Sequence, residues 1–358
     1  MSVYLCTLAL LLISSFIQVF AKREIEKMLA GFIFIIGFIF SLYTNMFRNM
    51  IGGYDVFVYA FYFENINELG NYFNYEQGFY YFTKLIYLIS EDRFFYFSVI
   101  AAIYTFSVFF ISREISRKHY FFIFFLIFCK FYFYSFVYLR QVLAVVLVWL
   151  GCIYLSKDRK VVFIFLTLVA SSFHISAIIS IFFLFLNKSY SKGSLYFLFF
   201  LGFLFLFLPL EKILGFINID KFGNYLSRDL NVFYFFESLV VFFLLVSYRK
   251  RIILIGREYN FYFNLAIFYS VFNLIVSSFS GFSRFSWYPF IGVVIFLGHQ
   301  LMLGRNNINK LILFIGISFY FISMFLRIML LRDGGDMMPY ESIFSESIRN
   351  SQFQEIGK

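Results

Sequence analysis

Apolar residues fall in long uninterrupted runs along nearly the whole chain, separated by short polar stretches. A run of ~20 residues is what crosses ~30 Å of hydrocarbon at ~1.5 Å per residue. The pattern predicts an all-α integral membrane protein with about ten full transmembrane helices. They are expected at 2–21, 28–47, 94–112, 120–138, 139–155, 194–214, 232–248, 260–280, 285–303 and 311–331. No internal repeat is visible, so nothing points to the repeated halves of many transporters. Residues 1–331 thus read as a single polytopic membrane domain, and 332–358 as a C-terminal tail.

Residues 161–187 are apolar but have basic clusters on both sides. A single tilted span would put one cluster outside. A re-entrant helical hairpin keeps both inside, because each arm of about 13 residues reaches only ~20 Å. Its tip would be Ser171-Ser172-Phe173-His174-Ile175-Ser176. Residues 48–93 form an outer segment carrying Asp55, Glu64, Glu68, Glu76, Glu91 and Asp92. Within it, Gly78 to Ile89 is apolar enough to lie in the membrane interface as a helix. A shorter outer loop runs from Gly215 to Asn231.

Composition agrees: of 358 residues, 62% are hydrophobic and 14% charged. The net charge of +10 invites a nucleic-acid reading. The placement of the charge excludes it. Lys and Arg cluster in alternate short connections, as membrane topology requires. These are Lys22, Arg23 and Lys27; Arg113, Arg117 and Lys118; Lys157, Arg159 and Lys160; Lys188 and Lys192; Arg249, Lys250, Arg251 and Arg257; and Arg305 and Lys310. That face is assigned to the cytoplasm, which puts both termini outside. The first apolar run has no basic residue before it, so it reads as a span rather than a cleaved signal. Cys6, Cys129 and Cys152 lie in apolar runs and read as buried thiols. The 61 Phe and 28 Tyr invite a sugar-stacking explanation, but overall residue usage accounts for them.

Ionisable groups at membrane depth are costly and usually face a cavity or a partner. Arg140 opens a span in Tyr138-Leu139-Arg140-Gln141, and His174 sits at the hairpin tip. Arg284 lies in the turn Gly281-Phe282-Ser283-Arg284-Phe285, and Arg48 ends a span, with Asp55 soon after. In this topology all of them reach the outer face. Three guanidiniums suit a pyrophosphate, and an imidazole or carboxylate suits removal of a proton from a sugar hydroxyl. Each also has a structural explanation. Arginines at span ends snorkel to headgroups, a histidine among serines bonds backbone, Asp55 caps a helix, and Glu76 is loop polarity. His119, His174 and His299 are far apart in sequence, and no metal or cofactor is expected.

The order Arg48…Gly52-Gly53-Tyr54-Asp55…Tyr59, then Glu76-Gln77-Gly78-Phe79, resembles the first outer loop of the EpsG family. Leu139-Arg140-Gln141…Ala144, Ser172-Phe173-His174-Ile175-Ser176-Ala177 and the Arg284-to-Tyr288 spacing resemble its later elements. The resemblance runs from about Arg48 to Tyr340, with one departure at Gly53-Tyr54-Asp55, where a Gly-Thr-Asp-like sequence is expected. It implies a Wzy-type polymerase of O-antigen or exopolysaccharide, in the bacterial inner membrane with its active site facing the periplasm. Such enzymes transfer a growing glycan from undecaprenyl pyrophosphate onto the non-reducing end of a lipid-linked repeat unit. The expected catalytic residues are His174, Asp55 and Arg140. The expected pyrophosphate-binding set is Arg48, Arg140, Arg284, Glu76, Tyr288 and Tyr340. Expected partners are the lipid-linked oligosaccharide, membrane lipids and a chain-length regulator protein, without nucleic acid. Two rivals remain. A lipid-linked glycan flippase would need polar residues through both leaflets. An O-antigen ligase shares the donor chemistry but would favour a large late periplasmic loop.

Overall fold

The computed structural model describes residues 1–70, 76–187, 190–205, 231–253, 257–277, 280–303, 307–331 and 337–344. Every regular element among them is helical. In chain order these are α1 (Ser2–Phe20), α2 (Glu24–Met46), α3 (Tyr54–Glu64), α4 (Ile66–Leu69), α5 (Gln77–Ile89), α6 (Arg93–Ile115), α7 (Tyr120–Phe131), α8 (Tyr134–Val137), α9 (Leu139–Ser156) and α10 (Lys160–Phe173). A 3₁₀ helix (Ile175–Leu186) follows, then α11 (Lys192–Phe205), α12 (Val232–Ile253), α13 (Arg257–Val276), a second 3₁₀ helix (Ser280–Trp287), α14 (Phe290–Leu303) and α15 (Asn307–Leu331). By length and composition, 6 of the described helices can cross a membrane: Ser2–Phe20, Glu24–Met46, Arg93–Ile115, Leu139–Ser156, Tyr259–Val276 and Asn307–Leu330. Shorter apolar helices of 10–17 residues lie within the other expected spans and the hairpin arms.

The differences from the sequence expectation have local causes. The expected span 120–138 breaks after Phe131. Ser135 N–H bonds the Tyr132 carbonyl and Phe136 N–H bonds the Phe133 carbonyl, so the chain tightens to i→i−3 bonds. The expected span from 285 becomes α-helical only at Phe290, after Pro289. A proline disfavours α geometry in the residue before it. The outer segment 48–93 holds α3, which the sequence pattern did not single out, besides the expected apolar helix α5. α5 buries Phe79, Thr83 and Ile86 and exposes Tyr81, Leu85, Leu88 and Ile89. An exposed apolar stripe of that kind suits the membrane interface. Residues 206–214 of the expected span at 194–214, most of the loop at 215–231, and all of the tail but 337–344 lie outside the described residues.

The chain divides into two compact units. The first comprises Met1–Leu147, Leu168–Ile175 and Gly298–Lys358. The ends of its helices are fixed by polar contacts. At one end, Lys310 Nζ donates to the Val19 carbonyl at 2.6 Å, and Phe121 N–H donates to Gln18 Oε1 at 3.1 Å. Lys22, Arg23, Lys27, Arg113, Arg117 and Lys118 follow or precede these helix ends in sequence. At the other end, Asn45 Nδ2 donates to Ser135 Oγ at 3.0 Å, and Ser98 Oγ donates to the Met46 carbonyl at 2.8 Å. The tail joins this second end: Asn49 N–H bonds the Glu341 carbonyl at 2.9 Å, and Ile343 N–H bonds the Phe47 carbonyl at 3.0 Å. Tyr4, near the start of α1, packs edge-on against Tyr340 there, ring centres 5.6 Å apart. The ends of α2, α15 and the start of α1 therefore share one end, as alternating spans require.

The second unit comprises Val148–Thr167 and Ser176–Leu297. In it the arms of the expected hairpin fold back on each other. The Phe163 and Phe183 rings lie 6.5 Å apart, and Asn187 Nδ2 donates to Asp158 Oδ1 at 3.4 Å. The arms span roughly 21 and 24 Å at their α and 3₁₀ rises, short of a bilayer core. Asn264 Nδ2 holds the Leu186 carbonyl at 2.7 Å, tying the second arm to α13.

Candidate active site

The site is built on the loop after α2. Gly52 has φ of +139°, and a Cβ there would lie 2.7 Å from the Phe136 carbonyl oxygen, so only glycine fits. Gly53 follows at φ +70° and caps α3. This tight turn lets Arg48 fold inward. Its Nη1 donates to the Asn45 carbonyl at 2.7 Å and to Asn45 Oδ1 at 2.5 Å. Its Nε donates to the Ile51 carbonyl at 3.2 Å and its Nη2 to the Phe136 carbonyl at 3.3 Å. The Phe136 ring lies 4.7 Å from the guanidinium carbon. Burial lowers the Arg48 pKa to about 10. Leaving those buried carbonyls unpaired would cost about 1–3 kcal/mol each. Arg48, expected as a pyrophosphate ligand, is turned to its own scaffold in this structure.

The convergence of charge lies nearby. α3, α5, α6 and α9 share a core of Val56, Phe57, Tyr59, Phe63, Phe79, Phe97 and Leu139. Tyr59 projects from α3 and accepts a hydrogen bond from Arg140 Nε at 3.0 Å. Arg140 Nη1 pairs with Glu76 Oε2. Glu76 immediately precedes α5, where a negative charge is favoured by the helix N-terminus. Its second oxygen, Oε1, accepts from Ile175 N–H at 3.3 Å and lies 3.8 Å from His174 Nδ1. The Ile175 N–H starts a 3₁₀ helix and has no partner within that turn, so the carboxylate caps it. The Glu76 side chain is 6% exposed, against 24% for Arg140 and 21% for His174. Burial raises the Glu76 pKa above its ordinary value, while the Arg140 charge and the Ile175 N–H pull it back.

Gly78 explains how the hairpin tip reaches this cluster. A Cβ on Gly78 would lie 2.0 Å from Ser172 Oγ and 2.8 Å from Ser172 Cβ. The Phe173 ring packs 5.6 Å from Phe82 and 6.5 Å from Phe79. The Glu-x-Gly-Phe segment thus docks the tip with Gly78 and Phe79 while Glu76 caps it. Gly78→Ala is expected to force the tip away, at about 1–3 kcal/mol for overpacking. A lowered thermal midpoint in detergent, recovered in large part by adding Ser172→Gly, would establish this contact. An unchanged midpoint would refute it.

The other expected residues are placed as follows. Asp55 sits half-buried in the first turn of α3, one turn before Tyr59. Tyr340 is half-buried against Tyr4 in the first unit. In the second unit, Arg284 is exposed on the 3₁₀ helix Ser280–Trp287. Tyr288 is buried, and its hydroxyl lies 2.7 Å from Ser176 Oγ. Trp149 Nε1 donates to the Trp287 and Tyr288 carbonyls at 3.2 and 3.1 Å, fixing that turn. Sequence reasoning gave no role to Tyr59 or Gly78, and it passed over Glu237. Glu237 is 5% exposed on α12, accepting from Tyr269 Oη at 2.6 Å and Asn273 Nδ2 at 3.3 Å. With the reciprocal Ser238–Ser270 bonds of 2.6 and 2.7 Å, it clamps α12 to α13. A lone acid inside an apolar run was the available signal.

These elements follow the family order proposed from the sequence, and the comparison with protein families agrees. The sequence model of the EpsG family matches residues 31–342, most of the chain. The chain belongs to the EpsG family. EpsG proteins form a Wzy-like polymerase family, so the fold described above is that of a polysaccharide polymerase-like membrane protein. The EpsG match includes the loop with Gly52 and Gly53, Glu76, Arg140, the hairpin and Arg284. No curated protein and no solved structure matches the chain.

Proposed function

We propose that this EpsG-family protein polymerises lipid-linked glycan, transferring a growing chain from undecaprenyl pyrophosphate to the non-reducing end of another lipid-linked repeat unit. The observation that carries the reading is the meeting of a partly open guanidinium, Arg140, with a partly open imidazole, His174, through one buried carboxylate. A guanidinium fork matches phosphate oxygens, and a neutral imidazole accepts a hydroxyl proton near neutral pH. Arg140 would hold the departing pyrophosphate, as a positioned cation stabilises developing charge. His174 would take the acceptor proton, with Asp55 the second candidate. The basic clusters Lys22, Arg23 and Lys27, and Arg113, Arg117 and Lys118, belong to the other end of the first unit. By the positive-inside rule, this supports a site that would face the periplasm from the inner membrane. Arg284, Tyr288 and Tyr340 stay proposed phosphate-binding residues on the family resemblance, and a chain-length regulator stays a proposed partner.

Deleting the gene and resolving surface glycan on a gel tests the reading. The expected result is one repeat unit on its anchor without a ladder. Complete loss of repeat units from the anchor would indicate a ligase. An intact ladder would refute polymerisation.

A further inference from the structure

We propose that Glu76 couples donor capture to proton transfer: it holds Arg140 before the donor arrives, yields it to the pyrophosphate, and then turns to His174. The proposal rests on the glycosyl-transfer reading above and adds a positioning residue to it.

Glu76 is the most enclosed member of the cluster, and its two oxygens face different partners. Oε2 faces Arg140, and Oε1 faces Ile175 N–H and His174 Nδ1. A buried carboxylate is held only by its partners, since its desolvation costs several kcal/mol. Arg140 keeps its Nε on Tyr59 at 3.0 Å, which leaves the Nη1 edge as the part shared with Glu76. A pyrophosphate carries more charge than one carboxylate and suits the same planar fork. Donor and Glu76 therefore compete for that edge.

The displaced carboxylate has a second cation close by. His174 Nδ1 is 3.8 Å from Oε1, about 1 Å beyond a charge-assisted hydrogen bond. In the reaction, the acceptor oxygen forms a bond to the donor's anomeric carbon. The bond from that carbon to the pyrophosphate oxygen breaks, and the electron pair leaves on undecaprenyl pyrophosphate, held by Arg140. The acceptor's proton moves to His174 Nε2. The imidazolium then donates Nδ1–H to Glu76, so each new charge has a counter-charge. The same carboxylate is the one whose pKa Arg140 chiefly holds down, so losing Arg140 makes it a stronger acceptor for that N–H.

The test uses purified full-length protein in detergent, undecaprenyl pyrophosphate for binding, and lipid-linked repeat units for turnover. Glu76→Gln keeps a carbonyl for Ile175 N–H but removes the competing charge. It is expected to bind undecaprenyl pyrophosphate about 5- to 10-fold more tightly and to lower KM for the donor alike. Its kcat is expected to fall about 100-fold. Adding His174→Gln should slow it no further than His174→Gln alone. Binding and turnover weakened together, or neither changed, would overturn the proposal and leave Glu76 a cap of the hairpin tip. If Glu76→Gln does not survive purification, Glu76→Asp decides. Its shorter carboxylate keeps its charge near Arg140 but cannot reach His174. It should lower kcat at least about 10-fold at unchanged KM, and any other pattern overturns the proposal. Parent protein that binds and polymerises while Glu76→Gln binds no more tightly defeats this inference alone. Parent protein that does neither defeats the glycosyl-transfer reading, and the inference with it.

Discussion

Purified His174→Gln protein is expected to insert, fold and bind lipid-linked donor, yet to polymerise it about 100- to 10,000-fold more slowly. The size of the effect follows from what glutamine keeps and what it loses. His174 lies between α10 and the 3₁₀ helix, and its own N–H closes α10 on the Ala170 carbonyl at 2.9 Å. That bond is backbone and survives any side-chain change. Glutamine also offers an amide N–H toward Glu76, so the local packing is kept. It has no group that ionises near neutrality and cannot accept the acceptor's proton. Donor KM should therefore stay within about twofold while kcat collapses. If the histidine only satisfies polar groups at the tip, the variant should be nearly silent. Polymerisation by purified His174→Gln at close to the parent rate would reject His174 as the base. Asp55, half-buried one turn before Tyr59, would then be the carboxylate to assay.

Arg140→Lys is the second large effect expected. The positive charge remains, but the geometry does not. Arg140 uses two separate edges, Nε on Tyr59 and Nη1 on Glu76, and the Tyr59 contact aims the rest of the fork. A lysine has one compact ammonium and cannot hold the tyrosine and an anion in the same planar arrangement. Hydrogen bonds to charged groups contribute about 1.5–3 kcal/mol, so losing one aimed contact predicts about a 10- to 100-fold loss in kcat/KM. In cells at equal expression this should appear as most of the polymer missing. Normal polymer length and amount would show that a point charge suffices, and the bidentate role would be abandoned. The two variants separate the roles: Arg140→Lys should weaken binding of undecaprenyl pyrophosphate, whereas His174→Gln should not.

The sequence by itself determined the solvent in which this protein folds. Runs of ~20 apolar residues can satisfy backbone hydrogen bonds in lipid only as helices, so an all-α membrane fold follows from composition and run length. Basic residues on both sides of 161–187 leave too few residues to cross twice, which is the ground for expecting a hairpin there. The folded-back arms at Phe163 and Phe183 agree with it. Arg140, His174, Glu76 and Asp55 were legible as candidates because ionisable groups near span ends are costly and few.

The tertiary structure decided which of them meet. Glu76 and Arg140 are far apart in sequence, and no helical or strand period relates them. Whether they pair depends on how α3, α5 and α9 pack. Whether His174 and Ile175 reach Glu76 depends on the close approach of Gly78 to Ser172, as the loop before α3 depends on that of Gly52 to Phe136, and a glycine in a sequence does not say what it approaches. The same packing took Arg48 inward to backbone carbonyls, although its position at a span end looks equivalent to that of Arg140. Nor did run length reveal that 120–138 tightens after Phe131, because hydropathy is blind to where a serine hydroxyl takes a carbonyl, as Ser135 does from Tyr132 at 2.6 Å. Local pattern fixed the elements, and long-range contacts between their ends chose the residues that share a charge.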